Sequence, residues 1–94
     1  KPSKGYHCIK NENDWTLEMA VPGFTKEDLK VKMVKDELSI VSTNEDNIWL
    51  GSFDKLFTLP QDVNTKKIKA KVENGVLTLT LSIKEDTENI IDIK

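Results

Sequence analysis

Apolar and polar residues alternate along most of this chain with a period of two, the pattern of strands that bury one face and expose the other. Trp15, Leu17, Met19 and Val21 fall on one side, with Thr16, Glu18 and Ala20 between them. Pro22-Gly23 ends the run and suits the centre of a type II turn, where proline presets the first φ and glycine takes the positive second one. Leu29, Val31 and Met33 then alternate with Lys30, Lys32 and Val34. Lys35-Asp36 make a turn, Leu38, Ile40 and the β-branched Val41 resume the register, and the two runs read as a hairpin.

After a polar turn at Asn44, Glu45, Asp46 and Asn47, the pattern over residues 48–59 predicts one long strand. Phe53, Lys55, Phe57 and Leu59 share a face there, with a bend at Gly51 and a stop at Pro60. Residues 61–66 read as a loop or a single helical turn. The cleanest alternation follows: Ile68, Ala70 and Val72 set against lysines, then Asn74-Gly75, then Leu77, Leu79, Leu81 and Ile83 set against Thr78, Thr80 and Ser82. Asn-Gly between two such runs is the strongest short-range hairpin signal. No segment sustains a helical period. The prediction is all-β, an immunoglobulin-like antiparallel β-sandwich of about seven to eight strands over residues 1–86, with residues 87–94 as a C-terminal tail.

Composition narrows the function. Ninety-four residues, 37% hydrophobic and 32% charged, provide one small core. No apolar run approaches the ~20 residues of a membrane span, and no secretory signal opens the chain, so neither is expected. A start at Lys1 rather than Met leaves room for residues upstream. All 14 basic residues are lysines against 16 acids, a net charge of -2. Without arginine there is no planar fork for phosphates or guanine edges, and nucleic acid is not an expected partner. The single Cys8 has no intramolecular disulfide partner and fits a reducing, cytoplasmic setting.

Catalytic material is thin. His7 is the only histidine, and no nucleophile-elbow signature surrounds Ser39, Ser42 or Ser52. His7-Cys8 alone leaves a zinc site half filled, and Asp36-Glu37, Glu45-Asp46 and Glu85-Asp86 sit where solvated turns are expected. The four glycines stand singly, so no phosphate loop exists. The expectation is a protein that is not an enzyme and uses no metal or other cofactor.

The informative residues lie elsewhere. Ala70-Lys71-Val72-Glu73-Asn74-Gly75-Val76-Leu77 resembles the A-x-x-x-N-G-V-L signature of the small heat shock proteins, the α-crystallin domain family. Val21-Pro22-Gly23-Phe24, continuing to Val31, is similar to the family's P-G-F-x-K-E-D segment. Phe57-Thr58-Leu59-Pro60 is similar to its F-x-L-P, and Ile91-Asp92-Ile93 to its terminal I-x-I anchor.

The resemblance implies an ATP-independent holdase that binds partly unfolded clients, built from homodimers and larger homo-oligomers. It further implies that Ile91 and Ile93 dock in a groove of another subunit, lined here by Leu29, Val31, Met33, Ile68, Ala70 and Val72. Two departures bear on assembly. Lys55 stands where the family commonly has arginine, and residues 44–47 make too short a loop for the strand exchange of plant, bacterial and archaeal members. The dimer is therefore expected to resemble the animal mode, one long strand pairing with its copy, with Ile48, Trp49, Leu50, Phe53 and Lys55 at the seam. Client binding in the family also leans on an apolar N-terminal arm, and residues 1–94 are not expected to supply one. The alternative is a p23-like co-chaperone adaptor, which shares the two-sheet architecture.

Overall fold

The computed structural model describes residues 5–85 and 90–94. The expected boundary at residues 86 and 87 lies outside them. Among the described residues, seven strands and one short 3-10 turn follow in order: β1 (Tyr6–Lys10), β2 (Asp14–Ala20), the turn Lys26–Asp28, β3 (Leu29–Val34), β4 (Glu37–Ser42), β5 (Phe53–Thr58), β6 (Val63–Glu73) and β7 (Val76–Ile83). All strand pairs are antiparallel, in one sheet of order β1-β2-β7-β6 and a second of order β3-β4-β5.

The core is what alternation makes it. Leu17 and Met19 of β2 and Leu77, Leu79 and Leu81 of β7 meet Leu38 and Ile40 of β4, all buried, while the intervening residues of β2 and β7 turn away. Each buried leucine or isoleucine removes enough apolar surface to contribute about 1.5–3 kcal/mol, the main force holding the sheets face to face. Ring pairs close the sandwich at its margins. Phe24 meets Phe53 edge-on at 5.5 Å, and Tyr6 of β1 meets Phe57 of β5 edge-on at 4.9 Å.

Local turn chemistry agrees with the tertiary pairing. Gly23 has φ +82°, and the Phe24 N–H donates to the Val21 carbonyl at 3.1 Å, closing the type II turn. Asn74 and Gly75, with φ +53° and +76°, form the two-residue turn that sets Glu73 opposite Val76. Lys35 sits in the left-handed region at φ +59°, in the turn between Val34 and Glu37.

Two expectations need correcting. Residues 61–66 are not all loop, because β6 begins at Val63, which is buried and opposite Ile83. Five residue steps from Val63 to Ile68 run against two from Ile83 to Leu81, so the strand bulges where the Asn64 side chain accepts the Lys66 N–H at 3.0 Å. That bulge breaks the alternation and hides the strand. The second correction is larger. Residues 48–50 are not strand, and β5 starts only at Phe53.

Two carboxylates tie loops to the sandwich. Asp62 accepts the Trp15 indole N–H at 2.9 Å and lies 3.2 Å from Lys10 Nζ, interactions that hold its carboxyl below the ordinary aspartate range. Asp28 is lowered first by the Thr25 backbone N–H, at 2.9 Å. A carboxyl whose folded value is depressed adds stability above its unfolded value, and that stability is lost as pH falls through the folded value. Urea midpoints should therefore stay level from neutrality down to about pH 5 and decline below about pH 4. Asp62→Asn should flatten that decline. An unchanged pH profile in the variant would show that Asp62 carries none of it.

Candidate functional site

Sheet order leaves β3 at one edge of the three-stranded sheet and β6 at one edge of the four-stranded sheet. The two edges border one groove. Leu29, Val31 and Met33 are half-buried on alternate positions of β3, as are Ile68 and Val72 on β6, and Ala70 between them is exposed. The groove holds two depressions. One, of about 480 Å³, is lined by Leu29, Val31, Ala70 and Val72 and floored by Leu77. The other, of about 210 Å³, is lined by Val31, Met33, Ile68 and Ala70 and floored by Leu38. Val31 and Ala70 form their common wall.

All six groove residues named from the sequence thus come together, although Leu29 and Val72 stand more than forty positions apart. Sequence reasoning missed the rim. Lys26 and Lys71 line the first depression, and Lys32 and Lys66 the second. For Lys32 and Lys71 the signal was present in lysines alternating with apolar residues, which reads at first only as a solvated face, whereas Lys26 in the 3-10 turn and Lys66 in the β6 bulge had no such signal.

The tail residues lie apart from any strand. Ile91 and Ile93 are 79% and 98% exposed, so neither is used by the described fold. An extended segment projects residues i and i+2 to one side about 7 Å apart, so the tail presents both isoleucines on one face when it is extended.

The five seam residues divide. Phe53 packs against Phe24 within its own sandwich, and the Lys55 ammonium lies 6.0 Å from the Tyr6 ring centre. Ile48, Trp49 and Leu50 instead form a helical turn organised by Asn47, whose side-chain oxygen accepts the N–H groups of Trp49 and Leu50 at 2.9 and 2.8 Å. The Gly51 N–H returns to the Asn47 carbonyl at 2.9 Å, with Gly51 at φ +59°, the conformation glycine supplies at the end of a turn. Asn47 Nδ2 also donates to the Pro22 carbonyl at 2.8 Å, docking the loop on the type II turn. An asparagine cap followed four residues later by glycine was the legible signal. All three apolar residues of the turn remain exposed, Trp49 at 69%.

Elsewhere, His7 pairs with Glu18 across β1 and β2 on an exposed face, as a terminal strand with a solvated histidine leads one to expect. Cys8 is free and exposed, and partial desolvation raises its thiol above the ordinary value. Among the described residues no three histidine, cysteine or carboxylate side chains gather as a metal site would require, and no helix is long and apolar enough to cross a membrane.

Comparison with known proteins agrees with this architecture. A chloroplastic small heat shock protein of Solanum lycopersicum is 31% identical over 94 residues, covering 89% of this chain and 40% of the relative. Small heat shock protein C1 of Rickettsia prowazekii is 32% identical over 96 residues, covering 90% of this chain and 59% of the relative. The chain thus spans roughly half the length of these relatives. In fold, a small heat-shock protein from Xylella fastidiosa superposes with a TM-score of 0.81 at 23% identity, covering 95% of this chain and 94% of that one. Heat shock protein 16.0 from Schizosaccharomyces pombe superposes with a TM-score of 0.73 at 26% identity, covering 100% and 85%. Relatives include chloroplast and mitochondrial proteins, so membership assigns no compartment. With residues 7–94 matching the model of the Hsp20/alpha crystallin family, and the sandwich, its turns and its edge-strand groove in place, the chain belongs to that family, the small heat shock proteins.

Proposed function

We propose that this domain is the assembling unit of an ATP-independent holdase, which keeps partly unfolded proteins from aggregating and joins its copies through the I-x-I tail. The observation that carries the reading is the match between two adjacent apolar depressions along β3 and β6 and two exposed isoleucines two residues apart. An extended segment entering such a groove places one isoleucine over each depression. Membership of the small heat shock proteins supports a chaperone over a co-chaperone adaptor, and the proposal extends this to client holding.

The test is light scattering of a heat-denaturing enzyme at rising ratios of this protein, with and without ATP. Suppression that rises with ratio and ignores ATP is expected, strongest when any residues preceding Lys1 are present. Strict ATP dependence, or no suppression in any form, would overturn the reading.

The dimer is proposed to form along β5, whose outer edge pairs with no strand among the described residues, with the apolar turn at Ile48, Trp49 and Leu50 beside it. Because β5 has six residues rather than twelve, the seam relies on that turn as well as on backbone pairing. Leu50→Lys should raise the dimer dissociation constant about tenfold or more and leave the β-sheet spectrum intact, the effect of placing a charge in an apolar contact. Sedimentation at low micromolar concentration checks it. A variant as dimeric as the parent would place the seam elsewhere.

A further inference from the structure

The groove is apolar inside and positive around it. Lys26 and Lys71 line one depression, Lys32 and Lys66 the other, and no carboxylate lines either. Among the described residues Lys71 has one loose, exposed pairing with Glu73 at 3.9 Å, and Lys26, Lys32 and Lys66 make no salt bridge. Lys30, Lys67 and Lys69 continue the charge along the same two strands. In a chain of net charge -2 this is a local excess of one sign. Four of the sixteen acids are concentrated in the tail: from residue 85 to residue 92 the sequence holds Glu85, Asp86, Glu88 and Asp92 and not one lysine.

We propose that the lysine rim selects the acidic tail of a second copy, so that ionic strength governs assembly through this groove. The inference rests on the anchor reading above and adds its specificity. With Ile91 and Ile93 facing the apolar floor, Asp92 between them projects the other way, toward the mouth where long lysine side chains reach over apolar walls with their ammonium groups in water. Each exposed ion pair alone contributes little, and several acting together alter affinity and encounter rate in a salt-dependent way. An extended client segment lacking acids gains nothing from the rim, so the tail holds an advantage over it at low salt that screening removes at high salt. If the lysines serve only to stop edge strands from pairing with other sheets, they confer no such preference.

The test uses the full chain carrying Ile91→Ala and Ile93→Ala, which removes its own competing tail, and fluorescent peptides of residues 84–94. The first peptide has the native sequence, the second has its four acids replaced by the corresponding amides, and the third has both isoleucines replaced by alanine. Anisotropy titrations at about 20 mM and about 300 mM salt span long and short screening lengths. At low salt the native peptide should bind about threefold to tenfold more tightly than the amide peptide, and at high salt the two should converge. Replacing Lys26, Lys32, Lys66 and Lys71 with glutamine should remove the difference. Equal binding of native and amide peptides at low salt would overturn selection by the lysines and leave the groove reading standing. Failure of the native peptide to bind, or equal binding by the alanine peptide, would overturn the groove reading itself.

Discussion

Ile91→Ala combined with Ile93→Ala is expected to collapse the larger assemblies to dimers while leaving the melting temperature of the domain within about 2 °C of the parent, as for surface changes outside the core. Both side chains are almost fully exposed, so the domain's own stability owes them nothing. Burying an isoleucine from solvent is worth about 1.5–3 kcal/mol, and two of them account for several powers of ten in association before the cost of ordering the tail is subtracted. Multi-angle light scattering of the longest available form checks the mass distribution, and calorimetry checks the melt. Particles of unchanged mass would show that the tail does not anchor assembly.

Leu79→Ala is the change expected to damage the domain most. Leu79 is 1% exposed at the centre of β7, opposite Leu17 on one side and Ala70 on the other, and every strand of its sheet depends on that register. Removing three buried carbons forfeits their transfer free energy and leaves a cavity, together about 3 kcal/mol. A domain of this size has only about 5–14 kcal/mol in total, so the melting temperature should fall by about 15 °C. The neighbouring Thr80→Ala, on the outer face, should change stability by less than about 0.5 kcal/mol. Urea unfolding of both variants at neutral pH decides it. A loss below about 1 kcal/mol for Leu79→Ala would mean that β7 is not the keystone of the core.

These predictions draw on different levels of information. The alternation of Leu77, Leu79 and Leu81 with threonine and serine is local, and it specified both the strand and its buried face. So did Pro22-Gly23 and Asn74-Gly75, whose backbone demands belong to the two residues concerned and are met with φ values of +82° at Gly23 and +53° and +76° at Asn74 and Gly75. The family motifs named the six groove residues through resemblance, and alternation by itself did not distinguish them from core.

The seam stretch shows where pattern reasoning fails. Ile48, Trp49 and Leu50 are as apolar as any strand, and their composition led to an extended reading. Asn47 decided otherwise, because its one side chain caps the following turn and reaches the Pro22 carbonyl twenty-five positions away. A side chain that satisfies backbone groups in two segments favours a turn over extension, and that contact exists only once the chain has folded.

From the sequence by itself came the all-β class, three of the tight turns and the buried faces of β2, β3 and β7, because period-two burial and turn torsions are set by neighbouring residues. Tertiary structure alone decided that β3 and β6 lie side by side across the two sheets, that their apolar residues divide into two depressions, and that four lysines from distant positions stand around them. Strand order depends on packing across the whole sandwich, and the groove is a property of two edges that never meet in the chain.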